Sequence, residues 1–438
     1  MKNLLIFSFI YVMITGCSGN NSKKQVSVTD SSFINLSHLD HLYTPVNFAD
    51  SVATAGIYIY AEAPDYHLVD DNDEGFTCVD DVSRAILVYI RDKNFKTDKG
   101  IQSKAVALLH FVLKMQSANG YFYNFLFKDN TINKTGKTSI NDPNWWSWRA
   151  LQTLSEAAPV VKNIHPELEV KINKAIKLLV LSIKKVVSAP LLSKDVKGIN
   201  VPQWLPAGSA SDQAAILILG LIPYCEINDD TLLKNYIKNL ADGIVMMQKG
   251  DSANFPYSCF LSWENIWHAY GNDQAYALFK AAAFFDNYKY AEKALDEVSN
   301  FYPWILKNDN RSSFYINKKD NKFFPENEKQ FEQIAYGIRP MVFAAAEAYQ
   351  LTGKQEYADI AGQMASWLSG SNVAGITMYD KGSGRCYDGI IAKDRVNYNS
   401  GAESTIEALL TLQKVEEYPA IKEVFNKYKK QDNIPGSH

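Results

Sequence analysis

The sequence predicts an all-α protein built as a double ring, six inner helices wrapped by six outer ones, which is an (α/α)6 toroid. Three observations carry that expectation. One segment pattern returns six times at a nearly constant interval, two kinds of helix alternate along the chain, and aromatic-rich loops always precede the same kind.

The repeat is read from "DDVSRAILVYI" (80–90), "NWWSWRALQTL" (144–154), "SASDQAAILIL" (209–219), "YGNDQAYALFK" (270–280), "AYGIRPMVFAA" (335–345) and "SGAESTIEALL" (400–410). Arg84, Arg149, Gln213, Gln274, Arg339 and Ser404 fall in one aligned column, and the steps between them are nearly equal. A fixed period of this kind marks one supersecondary unit used repeatedly. The helix at each aligned position, as in "AAILILGLIPY", is apolar nearly all round and so belongs to an interior. A second helix follows in each unit and is amphipathic. In "TLLKNYIKNLADGIVMMQ", Leu232, Leu233, Tyr236, Ile237, Leu240 and Ile244 share a face opposite Lys234, Lys238 and Asp242. Buried helices alternating with half-exposed ones give concentric rings. The unit is longer than the roughly 33 to 47 residues common in open α-solenoids, and the excess lies in the loops that lead into the inner helices. Those loops, among them "NGYFYNFLFKDN", "VPQWLPAGS" and "MYDKGSGRCYDGIIAKDRVNYN", therefore share one end of the ring and surround one mouth.

Ahead of the repeats stands "MKNLLIFSFIYVMITGCSGN": a lysine at position 2, an apolar run from Leu4 to Ile14, then small residues before Cys17. The run is too short to span a bilayer and has the order of an export signal. "ITGC" resembles the bacterial lipobox, which implies cleavage before Cys17, its lipidation, and a membrane lipoprotein. Ser18 carries no inner-membrane aspartate signal, so the outer membrane is expected, facing the periplasm or the cell surface. The domain reading is a signal peptide over 1–16, a lipidated cysteine and polar tether over 17–35, and the toroid over 36–430.

Composition excludes some partners. The net charge is −3 with no basic block, so nucleic acid is not expected. The other four cysteines are widely spaced with no CxxC pair and read as buried free thiols. His67, His110 and His268 show no ligand spacing. No cofactor is expected; "DDNDEGFTCVDD" (70–81) sets Asp70, Asn72, Glu74 and Asp81 at offsets reminiscent of a calcium loop, but no helix precedes it and Asp81 is short for the bidentate position.

"GYFYNFLF", "NDPNWWSWRALQTL" and "TCVDDVSRA" within this sixfold pattern resemble the six-hairpin glycosidase superfamily, over essentially all of the chain after the tether. The resemblance implies carbohydrate processing, typically hydrolysis, with lyases on a related toroid. It fixes no catalytic pair, so the candidates come from the residues. Glycoside cleavage needs two carboxyl groups flanking the bond. Asp81, Asp212, Asp273 and Glu403 stand at the starts of inner helices, with Asp80 beside the first, and Glu264 lies in the loop "SWENIWH". Acids at such positions also serve as helix caps. Trp145, Trp146, Tyr121, Trp204, Tyr257 and Tyr336 are candidates for stacking on sugar faces, and Arg84, Arg339, Arg385 and Asp388 for polar contacts, so the expected partner is an oligo- or polysaccharide. Two alternatives remain open: a polysaccharide lyase, which would use Tyr257, His268, Tyr336 or Arg339 in a basic cleft, and a glycan-binding lipoprotein without a working acid pair.

Overall fold

The computed structural model describes residues 32–187 and 190–430. The signal segment, Cys17 and nearly all of the tether lie outside the described residues. Thirteen α-helices are found there. A short one, α1 (Ser37–Leu42), precedes six hairpins: α2 (Val79–Ile90) with α3 (Lys99–Lys114), α4 (Trp145–Val161) with α5 (Pro166–Val186), α6 (Ser211–Ile227) with α7 (Thr231–Met247), α8 (Gln274–Phe285) with α9 (Tyr288–Lys307), α10 (Ala335–Thr352) with α11 (Gln355–Ala365), and α12 (Ala402–Glu417) with α13 (Pro419–Tyr428).

Each even-numbered helix packs on the next, and α12 packs back on α2, which closes the inner ring. Each odd-numbered helix from α3 onward lies against its hairpin partner on the outside. Burial follows the two sequence patterns: in α6 every residue from Ser211 to Ile222 is buried, whereas α7 buries the face of Leu233, Tyr236, Ile237, Leu240 and Ile244 and leaves Leu232, expected on it, exposed in the first turn. Inner helices approach closely. A β-carbon at Gly220 of α6 would stand 2.8 Å from Leu151 and 2.9 Å from the Gln152 backbone of α4, so the smallest residue is needed there.

The packed body begins at Phe33, whose ring lies 5.0 Å from Phe425. From there α1 packs on α12, and the strand Thr54–Ile57 packs on α3 and α2, so this segment joins the last hairpin to the first. It also walls the mouth: Ala402 donates to the Ile59 carbonyl at 2.9 Å and Ser400 to Ala61 at 3.0 Å. Gly401 allows the approach, since a β-carbon there would meet the Ile59 oxygen at 2.4 Å.

The loops that precede inner helices are more regular than the sequence suggested. Ser193–Val196 pairs with Ile199–Pro202, Gly389–Ala392 with Arg395–Asn397, and Ile266–His268 joins Ser313–Lys319 and Lys322–Lys329 in a three-stranded antiparallel sheet. Two of these hairpins turn at Lys197–Gly198 and Asp320–Asn321, all four residues having positive φ, as tight two-residue turns require. The strands stiffen the rim and fix the loop side chains that face the mouth.

Candidate active site

The mouth opens into a cavity of about 520 Å³ over the N-terminal ends of α2, α4, α10 and α12. Its floor is a cluster of buried charges. Arg84 on α2, with a side chain only 4% exposed, contacts Asp80 at 2.8 Å, Asp81 at 2.6 Å, Glu403 at 3.3 Å and Glu407 at 2.8 Å. Arg149 on α4 lies 2.8 Å from the other Asp80 oxygen. Arg339 on α10 grips Asp273 through both guanidinium nitrogens at 2.8 and 2.9 Å and pairs with Glu407 through Nε. The Tyr336 ring lies 5.0, 5.2 and 5.8 Å from the Arg84, Arg149 and Arg339 guanidinium carbons, and its hydroxyl accepts from Arg149. Each buried charge in this lattice stands beside an opposite one, which offsets part of the cost of taking it out of water, while Arg84 Nε, Arg149 Nε and Asp80 Oδ1 make no hydrogen bond.

The repeat accounts for this convergence. Arg84, Arg149 and Arg339 occupy the same aligned position in three units, so a ring of inner helices brings them to one level. Asp80 and Asp81 are not caps: the cap of α2 is Cys78, whose sulfur accepts from the Asp81 N–H at 3.4 Å. Both carboxylates turn to Arg84 instead. Asp273 occupies the N-cap position of α8 without capping it, because its two oxygens are engaged by Arg339.

The acids differ in exposure. Glu403 keeps 43% of its side chain open to the cavity and Asp80 23%, while Asp81 keeps 6% and Glu407 none. Enclosure by protein pushes the Glu403 carboxyl up to about 7, against the opposing pull of Arg84. Burial likewise raises Asp81 and Asp388. Glu407 goes the other way: burial raises it, but Arg339, Arg84 and Arg149 together outweigh that and hold it below the usual range. Asp80 and Glu403 both touch Arg84 Nη2, at 2.8 and 3.3 Å. Their contacting oxygens can therefore stand no further apart than those two distances laid end to end.

Asp80, Asp81, Glu403, Arg84, Trp145, Trp146, Tyr336 and Asp388 line the cavity, and Asp273 and Arg339 support its floor. Six other candidates stand elsewhere. Asp212 pairs with His268 at 3.1 Å, and Glu264 with Lys194 at 2.6 Å. Tyr121 packs edge-on to Trp148, Trp204 donates to Asn239 on α7, Tyr257 packs with Phe255 and Trp304, and Arg385 lies 4.2 Å from the Tyr66 ring centre. Of the candidate aromatics, those at the starts of inner helices line the mouth, while those in the loops pack against the surrounding structure. The acidic turn does not converge either: Asp70 accepts from Tyr58, Glu74 from Thr138, and Asp81 pairs with Arg84. Among the described residues no group of Asp, Glu, His or Cys is arranged to hold a metal ion. Cys78, Cys225, Cys259 and Cys386 are buried free thiols.

Sequence reasoning missed Glu407, Arg149 and Tyr270. Glu407 had a signal, an acid one turn after Glu403 on the same inner helix. Arg149 stood in the aligned column. Tyr270 had none beyond its place ahead of Asp273.

The architecture, a closed ring of six helical hairpins with its cavity at the N-terminal ends of the inner helices, is an (α/α)6 toroid. No protein-family model matches the sequence, and no curated protein matches it. Among solved structures, a family 76 glycoside hydrolase from a bovine Bacteroides thetaiotaomicron strain is similar over 89% of this chain and 79% of its own, with a TM-score of 0.57 and 9% identity. A sugar epimerase from a ruminal bacterium is similar over 87% of this chain and 95% of its own, with a TM-score of 0.56 and 12% identity. The chain spans about half, 52%, of a β-arabinofuranosidase that it matches over 76% of its own length, with a TM-score of 0.44 and 13% identity.

Proposed function

We propose that this chain is a carbohydrate-active enzyme that hydrolyses a glycosidic bond, with Glu403 as general acid and Asp80 as the partner carboxylate. The observation that carries the reading is the pair itself: two cavity-lining carboxyl groups on one arginine nitrogen, one of them pushed up to about 7. A general acid must hold its proton near neutral pH, and the upward shift of the Glu403 carboxyl suits it to that role. Asp80, between two guanidinium groups, supplies the negative charge. Solved structures of the same fold whose names state a sugar-directed activity support the substrate class.

A separation of about 5 to 5.5 Å belongs to double displacement, while inversion needs about 6.5 to 9.5 Å. Two carboxyl groups that touch one nitrogen, at 2.8 and 3.3 Å, are held close together, which supports the shorter of these two arrangements. Double displacement is favoured. Asp80 attacks the anomeric carbon while Glu403 protonates the departing oxygen, leaving a glycosyl ester on Asp80. Water then attacks that carbon, gives its proton to the Glu403 carboxylate, and releases Asp80. A lyase would bind a uronate, and the lining argues against one: among the described residues Glu74, Asp80, Asp81, Asp388 and Glu403 face the cavity against the single guanidinium of Arg84.

From the N-terminal segment ending in "ITGC" we propose, separately, that the protein is an exported lipoprotein held to a membrane through Cys17.

The test is incubation with plant, host and microbial glycans, read for new reducing ends, for unsaturated-uronate absorbance, and for deuterium taken up from heavy water. Reducing ends of retained configuration, lost in Glu403→Gln and Asp80→Asn, are expected. Absorbance would transfer the case to a lyase, deuterium uptake without cleavage to an epimerase, and binding without turnover to a glycan-binding protein.

A further inference from the structure

A second cavity, of about 500 Å³, adjoins the first, and Tyr270 and Ile334 stand in the walls of both. Helix α10 runs beneath the two: Ala335 and Tyr336 line the first, and Gly337, Ile338 and Met341 line the second. The rim of the second is polar, with Asn310, Arg311 and Ser312. Each cavity has the size of a ligand pocket.

Tyr270 is 45% exposed although it walls two cavities. One face of its ring is covered by the His268 imidazole, with centres 3.8 Å apart and planes 8° from parallel. His268 is fixed at both nitrogens. Nδ1 lies 2.8 Å from the Tyr270 carbonyl, which can only accept, so Nδ1 carries a hydrogen. Nε2 lies 3.1 Å from Asp212 Oδ2. Asp212 itself is 2% exposed and lines neither cavity, so it acts through the histidine.

We infer that the second cavity is an adjoining sugar subsite, that Tyr270 is the platform over which the glycan passes from one cavity to the other, and that the Asp212–His268 pair positions that platform. This rests on the glycan reading given above and narrows it. The substrate is an oligosaccharide of at least two units, its reacting unit uncharged and seated among the acids, its neighbour in the second cavity. A sugar ring presents a C–H face that packs on an aromatic ring. A ring already stacked on a fixed imidazole loses little freedom when the sugar arrives.

The full chain carrying Glu403→Gln, to stop turnover, is titrated by calorimetry with gluco-, manno- and arabino-oligosaccharides of four units and with the matching monosaccharides. For a series that binds, the tetramer is expected to bind at least tenfold more tightly than its monomer. Tyr270→Ala should bring that ratio near one and Tyr270→Phe should keep it. Ser312→Trp, which fills the second cavity from its rim, should abolish the ratio independently. His268→Ala should lower it and His268→Phe, which restores a stacked face but not the contacts to Asp212 and the Tyr270 carbonyl, should recover it in part, whereas a merely structural histidine would weaken both ligands together. Equal affinity of tetramer and monomer, or a ratio indifferent to Tyr270→Ala and Ser312→Trp, would overturn the inference and leave the glycan reading standing. Absence of binding by every sugar would overturn the glycan reading and this inference with it.

Discussion

Replacing Glu407 by glutamine tests whether the charge cluster under the cavity is what holds the inner ring at that level. Its side chain is fully buried and joins α12 to α2 through Arg84 and to α10 through Arg339. In Glu407→Gln the amide oxygen can accept from one guanidinium, but the NH2 then points a donor at the other. One charge-assisted hydrogen bond, about 1.5 to 3 kcal/mol, is lost, and a donor faces a donor. The full cost of stranding a buried charge, about 3 to 5 kcal/mol, is not reached, because Arg84 keeps Asp80, Asp81 and Glu403, and Arg339 keeps Asp273. The expected loss is about 3 kcal/mol, a large share of the roughly 5 to 15 kcal/mol that stabilises a domain. Urea unfolding followed by tryptophan fluorescence reads it. Glu264→Gln, at a partly exposed rim pair with Lys194, is the comparison and should cost under about 1 kcal/mol. The pH dependence is fixed in sign. Folded Glu407 titrates below its unfolded value of 4.5, so its contribution is complete above about pH 4.5 and fades as pH falls through the folded value. The gap between wild type and variant should be constant near neutrality and close in acid. Equal losses for Glu407→Gln and Glu264→Gln would refute the reasoning.

Further expectations follow from the other acids and from the N-terminus. Glu403→Gln should lower turnover by about 10² to 10⁴-fold, and wild-type turnover should fall as pH rises through about 7, where Glu403 loses its proton; a basic limb set far from 7 would assign the acid role elsewhere. The same substitution should gain stability relative to wild type as pH rises from about 4.5 to about 7 and keep that gain above it, because a carboxyl whose folded value is raised weakens the fold across that window. Glu297, 2% exposed on α9, accepts from the Phe260 N–H at 2.7 Å and is pushed up to about 8 by burial. Between its ordinary 4.5 and about 8 the wild type should lose up to about 5 kcal/mol relative to Glu297→Gln, and parallel stability curves for the two proteins would contradict this. Cys17→Ala should release the protein from the membrane fraction and abolish labelling by a radioactive fatty acid; unchanged fractionation would count against the lipid anchor.

By itself the sequence determined the ring. A near-constant period, all-round apolar helices and amphipathic partners are local properties that the chain carries at every unit, and each survives a small error in phase. Closure was legible from the length of the unit, whose excess over an open solenoid's repeat lies in the loops. The acids of the site were legible as a class, because the starts of inner helices had to share an end. Their roles were not. Whether Asp212 meets a sugar or His268, and whether Asp273 caps a helix or grips Arg339, depends on side chains in the neighbouring repeat, which only packing brings together. The hairpins of the rim escaped for a related reason: short strands gain their ladder from loops distant in sequence, as when Ile266–His268 finds Ser313–Lys319. The tertiary structure also decided the chemistry of Glu403. Its raised carboxyl comes from enclosure and from neighbouring acids on α2 and α12, and no pattern along the chain records that environment.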